Sequence, residues 1–524
     1  MSSKSPDLFA QIPQKASGRW RSSLVIDHGL NESGVIPAGL EIAESSAISP
    51  IIISPNGNLI IEYENSPSTD GGVFWQVSLE MLVEKSSYFR VMLDLNKFSE
   101  GAKLAQQLEA MKTSTDSHPS LILKDIPAPV TLPVIAITSN ATTRLYGADA
   151  LGLFLKILCL ESMDDSVRKL FTDALQLESP SVIAKLIQVA DSFNSPDVVE
   201  SVLCSVGYQY GKKGRSSFCS FSTTLLKMNE DRLRQIILIS KNLNDHEVTR
   251  VLTHTLILLG SKYWLNGPHH PRRDFLLWQY LPGKLEEELY YRRQCVMATI
   301  TDLQSHFLRA YGVLEDTDPK PPVSVPAQRP MVMPFSTPQK RQFQCRAGLA
   351  NGSECDIFQV GQLIRFFAMR SKTVFLGSNL LDPDLTLNPE SEGEERRGSS
   401  DLFDLSDITA ILSTLKEFPD YQVDLNHGGC GIKRRISPII PCIEKLLLNP
   451  KSLIGIDYGD WNNTFSRQST EWKTGTKAYC VDVRQSNLQA VQESKNGPYR
   501  TLSTMNSTRD ARLFFTAKKR NWEA

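Results

Sequence analysis

Val73-Phe74-Trp75-Gln76-Val77-Ser78-Leu79-Glu80-Met81-Leu82-Val83-Glu84-Lys85-Ser86-Ser87-Tyr88-Phe89 changes its apolar period at Ser78. The first five residues, β-branched and aromatic, read as a strand. Leu79, Leu82, Phe89, Met92 and Leu93 then recur at helical spacing. Upstream, Gly57-Asn58 makes a turn before a strand at Leu59-Ile60-Ile61-Glu62-Tyr63, and a turn-rich stretch from Ser66 to Gly72 joins the two strands as a hairpin. Downstream, 101–130 reads as a loose segment and Leu132 to Thr138 as a further strand. Leu151, Phe154, Leu155 and Leu158 form one helical stripe, and Ile183, Leu186, Ile187 and Ala190 another. A hairpin, a lone strand and several helices make an α+β domain over 50–205.

Beyond it, 223–312 reads as a helical domain. Leu225, Leu233, Ile236, Ile237 and Ile239 come first, and Val248, Val251, Leu252, Leu256 and Leu259 form a stripe closing at Gly260. Leu285, Leu289, Val296, Ile300, Leu303, Phe307 and Tyr311 then mark one long core helix. Glu288 and Arg292 stand at i,i+4 on that helix, and Gly312 supplies its stop. Residues 313–343 carry prolines at 319, 321, 322, 326, 330, 334 and 338, which forbid helix and make a spacer of polyproline II tendency.

Residues 344–450 read as a helical Cys/His-containing module, interrupted at 378–401 by a solvated, mobile insert containing NPESEGEERRGSS. Phe358, Leu363, Ile364, Phe366 and Phe367 form a helical patch before the insert. After it, Ser406 or Asp404 caps a helix carrying Ile408, Ile411, Leu412 and Leu415. Residues 451–524 read as a small strand-rich module with Trp461, Phe465, Trp472 and Tyr479, closing in a short helix near Asp510–Trp522. Residues 1–49, rich in Ser, Pro and Gly, read as a loose leader. No internal repeat has a regular period.

Composition bounds the function. At 524 residues the chain is long enough for about two to four domains. Apolar residues make up 41 %, too many for a mostly disordered chain, yet no run approaches the ~20 consecutive apolar residues of a membrane span. The first residues lack the apolar run of a secretory signal. With 57 Lys+Arg against 58 Asp+Glu, no general field attracts nucleic acid, so direct nucleic-acid binding is not expected. The basic runs at Lys212-Lys213, Lys433-Arg434-Arg435 and Lys518-Lys519-Arg520 are short and read as solvated faces. Nine scattered cysteines without a CxxC pair fit a reducing, intracellular compartment, cytoplasm or nucleus.

Catalytic motifs are missing. The chain contains no GxxxxGK[ST] loop, no GxGxxG turn, no GxSxG elbow and no HExxH. His269-His270 sits in a Pro/Arg-rich turn, and His254 in an apolar run where a satisfied core histidine is the ordinary reading. Glu286-Glu287-Glu288 opens a helix, where carboxylates complement the dipole. No catalytic or organic-cofactor residue is assigned, and no enzyme is expected.

One constellation stands out. Cys345 and Cys355 flank a nine-residue loop, and His427-Gly428-Gly429-Cys430 forms another. Three thiolates and one imidazole satisfy a tetrahedral structural zinc, with Gly428, Gly429 and Gly431 permitting a tight turn. The gap of 71 residues between the pairs leaves a second reading open: buried thiols beside a loop histidine, with no metal. Cofactor content is therefore one structural zinc or none.

The first domain resembles a BTB/POZ domain. The likeness is carried by Val73 to Ser78 leading into Leu79 and Leu82, then Ser86-Ser87-Tyr88-Phe89, and by Asp94 to Gly101. Ala148 to Leu158 and Ala184 to Val199, with its Ala190-Asp191-Ser192-Phe193 segment, carry it further. More of the chain is similar to a group of large fungal BTB proteins, through Leu281-Pro282-Gly283, Glu286 to Leu289, Arg292-Arg293, Thr299-Ile300, Leu303-Gln304, Cys345, Cys355-Asp356, Gln359-Val360-Gly361, Asn426 to Gly431, and Ala517-Lys518-Lys519. The resemblance implies a non-enzymatic interaction adaptor or scaffold that binds protein partners or itself through exposed helices and strand exchange. It leaves two alternatives, a transcriptional or gene-cluster regulator acting through partner proteins and a substrate adaptor of a cullin-type ubiquitin ligase.

Overall fold

In the computed structural model of the chain, the described residues are 50–63, 72–94, 97–116, 132–137, 141–264, 275–311, 350–367, 407–457 and 507–515, with single positions at 268, 313, 345, 347 and 505. The leader at 1–49, the insert at 378–401, His269-His270, Gly312, Lys518-Lys519-Arg520 and the aromatic residues Trp461, Phe465, Trp472 and Tyr479 lie outside them. So does the Pro-rich stretch, apart from Val313.

The architecture is α+β: one small sheet near the amino terminus, and helices over most of the remaining described residues. Four strands, β1 (Ile51–Ile52), β2 (Leu59–Tyr63), β3 (Val73–Val77) and β4 (Val134–Ile137), lie in the order β1-β3-β2-β4. The expected hairpin is present, with β2 antiparallel to β3 from Leu59↔Val77 to Tyr63↔Val73, while β1 and β4 add in parallel at the two edges. Alternation decides the buried face: Leu59, Ile61, Tyr63, Trp75, Val77, Ile135 and Ile137 all point into the core.

Two serines turn the chain from strand to helix. Ser78 Oγ accepts the Met81 N–H at the start of α1 (Leu79–Lys85), and Ser86 Oγ accepts the Phe89 N–H at the start of α2 (Ser87–Met92). Ser86 Oγ also donates to the Phe193 carbonyl at 3.0 Å.

The expected loose segment from 101 is corrected. Ser99–Asp116 is an 18-residue helix, α3. Its apolar stripe is thin, but Ala, Lys, Gln, Leu, Glu and Met are strong helix formers, and Leu104 is buried. Gln107 on α3 brackets β4, donating to the Val134 carbonyl and accepting its N–H, so the edge strand is covered.

Helices α4 (Ala141–Leu158), α5 (Asp165–Gln176), α6 (Pro180–Ser192) and α7 (Pro196–Ser205) complete the first section. α4 kinks at Gly147, whose φ is +78°. At Gly152 it runs so close to the sheet that a Cβ would lie 3.1 Å from Trp75 Nε1. Helices α8 (Glu230–Asn242), α9 (His246–Leu259) and α10 (Leu285–Ala310) come next, and α6 packs on α8 so that one apolar core runs from Ile53 onward through all of them. The expected stop at Gly260 is seen, with φ at +80°. There the buried Arg293 guanidinium donates to the Ile257 and Leu258 carbonyls that α9 leaves unpaired. The Glu288–Arg292 pair forms at 2.7 Å.

The carboxyl-terminal part holds α11 (Gly352–Phe366), α12 (Ile408–Lys416), α13 (Lys433–Ile436), α14 (Ile439–Leu448) and α15 (Thr508–Phe514). The cap of α12 is Asp407, whose Oδ1 accepts the Thr409 N–H at 2.8 Å, in place of the expected Ser406 or Asp404. Among the described residues of 451–524 there is no strand. Residues 452–456 are instead a buried non-helical segment on α9, and the closing helix is α15, Thr508–Phe514, with Trp522 outside the described residues. No helix among the described residues is long and apolar enough to cross a membrane.

Candidate metal centre

The four residues singled out in the sequence come together. Cys345, Cys355, His427 and Cys430 each present a ligand atom, and these atoms all lie within 4.8 Å of one another.

Each is held by local chemistry. Cys355 sits in the first turns of α11, its N–H bonded to the Asn351 carbonyl. Cys345 precedes that helix, and its N–H is anchored by Asp356 Oδ1 at 3.0 Å. On the other side, Asp424 caps a 3-10 turn at Leu425–His427, its Oδ1 accepting the Asn426 and His427 N–H groups. The chain then closes on itself through Cys430 N–H to the His427 carbonyl. Of the three glycines expected to permit this turn, Gly429 alone has a positive φ, +103°. Gly428 is ordinary backbone, and Gly431 is small because Asp420 Oδ1 occupies the place of a Cβ.

The two separations from Cys345 match the edges of a tetrahedral ion. Cys345 Sγ lies 3.7 Å from Cys430 Sγ and 3.5 Å from His427 Nδ1. Zinc with Zn–S near 2.3 Å and Zn–N near 2.0–2.1 Å has ligand–ligand edges of about 3.5–3.8 Å. The imidazole is oriented for the same purpose. His427 Nε2 lies 3.0 Å from Asn351 Oδ1, an acceptor, so the proton sits on Nε2 and the Nδ1 lone pair faces the sulfurs. Cys355, His427 and Cys430 are buried, and Cys345 is half-buried.

The surroundings are tied as well. Gln359 on α11 donates to the Tyr421 carbonyl and accepts the Ile432 N–H, pinning the helix to the His427–Cys430 loop. Burial pushes the Cys355 thiol up to about 12, and the adjacent Cys345 and Cys430 act in the same direction. Tyr311, at the end of α10, is buried within electrostatic reach of Cys355, Cys430 and Asp356. Four protein donors fill a tetrahedron and leave no position for a substrate, so the arrangement can hold a metal ion but not present it.

The sequence supplied the ligands but not Asn351, Gln359 or Tyr311, which act on partners distant in the chain or across separate helices and leave no local signature. Asp424 was legible in principle, as an Asp three residues before the histidine it caps. No protein-family model matches the chain, and no curated protein or solved structure matches it.

Proposed function

We propose that this protein is a non-enzymatic interaction adaptor or scaffold, acting through a BTB/POZ-like section at 50–205, with one structural zinc shaping its carboxyl-terminal part. The observation that carries the adaptor reading is the sheet edge at β1. Ile51 and Ile52 are 50 % and 65 % exposed there, on an edge strand that no strand among the described residues pairs on its outer side. Support comes from the two segments that suggested the family. Tyr88 and Phe89 pack on Phe193 with ring centroids 4.9 and 5.3 Å away, so the Ser-Ser-Tyr-Phe and Ala-Asp-Ser-Phe segments meet as one aromatic cluster.

Light scattering on the full chain tests the edge. The protein self-associates or captures a protein partner, and Ile51→Lys with Ile52→Lys abolishes this without lowering the unfolding midpoint, because both side chains are exposed. A wild-type chain that stays monomeric and captures nothing overturns the reading.

Zinc would be held by Cys345, Cys355, His427 and Cys430, as a structural tie with no catalytic role. Elemental analysis of the full chain returns about one zinc per chain for such a closed site. Cys355→Ser and His427→Ala lose most of it. A folded wild-type chain without stoichiometric metal ends the zinc reading and leaves the adaptor reading standing.

A further inference from the structure

We propose that Cys345 and Cys430 are an oxidation site, converting by peroxide into a disulfide that expels the metal. This rests on the zinc reading above and names its regulation. Two observations carry it. The two sulfurs, 85 positions apart in the chain, lie 3.7 Å from one another, so an approach of about 1.7 Å reaches the disulfide length of about 2.05 Å. The four ligands are also unequally covered: Cys355 and His427 are 0 % exposed and Cys430 5 %, while Cys345 alone is half-buried. A small oxidant arriving from solvent meets Cys345 first.

The choice of resolving partner comes from the backbone. Cys355 is fixed inside α11, where its N–H is part of the helical ladder. Cys430 lies outside any helix, between Gly429 and Gly431, two residues without a Cβ, so a backbone shift there meets less steric resistance than one inside α11.

The chemistry is a two-electron oxidation. The Cys345 thiolate attacks one peroxide oxygen, the O–O bond breaks, and the departing hydroxide takes a proton to become water. The Cys430 thiolate then attacks the Cys345 sulfenic sulfur, the S–O bond breaks, and a second hydroxide is protonated. Two thiolates are oxidised to one disulfide, and hydrogen peroxide is reduced to two waters with consumption of two protons. Cys355 and His427 remain, and two donors do not retain zinc in competition with a chelator. The structural consequence is specific. The metal ties three places, Cys345, α11 and the His427–Cys430 loop, whereas the disulfide ties only the first and last. α11 is thereby released from direct ligation and keeps only its protein contacts, among them the Gln359 bonds and the Asp356 bond to the Cys345 N–H.

The test uses the full chain, purified reduced. Its zinc is quantified first, then hydrogen peroxide is added with a chromogenic chelator present, and thiols and cross-linked peptides are mapped by mass spectrometry. The expected result is loss of one zinc per chain together with two thiols, a peptide pair joined through Cys345 and Cys430, and full recovery on adding dithiothreitol and zinc. Cys442→Ser, which alters a cysteine outside the cluster, behaves as wild type. Zinc that stays bound under peroxide, or leaves with sulfinic acid or with a different cysteine pair, overturns the oxidation site and spares the metal reading. A reduced folded chain containing no zinc overturns both.

Discussion

His254 illustrates how much one side chain settles here. It is fully buried on α9, with the Phe221 ring edge-on at 4.7 Å. Its Nδ1 accepts the Ile454 N–H and its Nε2–H donates to the Leu447 carbonyl. Both nitrogens are used by the neutral ring, and burial lowers its protonation from the ordinary 6.5 to about 4. Between pH 6.5 and 4 the unfolded chain binds a proton that the folded chain refuses, so this contribution is complete above pH 6.5 and is lost as pH falls toward 4. The expected loss is about 3 kcal/mol across that window, measured by urea unfolding at a series of pH values. A flat stability between about pH 7 and 4.5 would contradict it. The sequence identified His254 as a core histidine from the apolar run around it. It read Glu286 only as a complement to the helix dipole. In the structure Glu286 is 1 % exposed and holds the fully buried Arg234 bidentately, with the Trp264 indole donating to the same carboxylate. That partner lies 52 positions away, on a different helix, and no local pattern announces it.

At the scale of elements, the decisive contact is the segment 452–456 lying on α9. Thr253 Oγ1 accepts the Ile456 N–H at 2.9 Å, and the Arg292 guanidinium donates to the Ile454 and Gly455 carbonyls at 2.7 Å each. The segment approaches so closely that a Cβ on Gly455 would overlap the Arg250 carbonyl, a backbone group that cannot swing aside. Gly455→Ala is therefore expected to cost about 2–3 kcal/mol, read as a lowered thermal midpoint, while Gly361→Ala, open to solvent on α11, costs nothing and gains helix propensity. Equal midpoints for the two variants would refute this packing. The sequence assigned α4, α6 and α8 to α10 correctly because each buries a stripe at helical period. It missed α3, which binds to the sheet through Leu104 and the Gln107 bracket on β4 and so needs no broad apolar face.

For the whole molecule, the Cys/His cluster brings together parts of the chain that are far apart in sequence, Cys345 and Cys355 on one side and His427 and Cys430 on the other. On the zinc reading proposed above, adding a chelator is expected to remove several kcal/mol of local stability. Hydrogen exchange should accelerate at 352–366 and 425–431 while α8 and α9 keep their protection. Uniform exchange with and without chelator would show that no metal supports this region. The sequence by itself determined the β2–β3 hairpin, most of the helices and the four candidate ligands. Each of these depends on residue type and period within a few positions, where local sterics and solvation act. Only the tertiary structure decided that Cys345 and Cys355 meet His427 and Cys430. It alone shows that Asn351 sets the tautomer of His427, and that His254 closes over residues 193 and 200 positions away. Such meetings are products of how the packed helices route the chain, and spacing along the sequence does not encode that route.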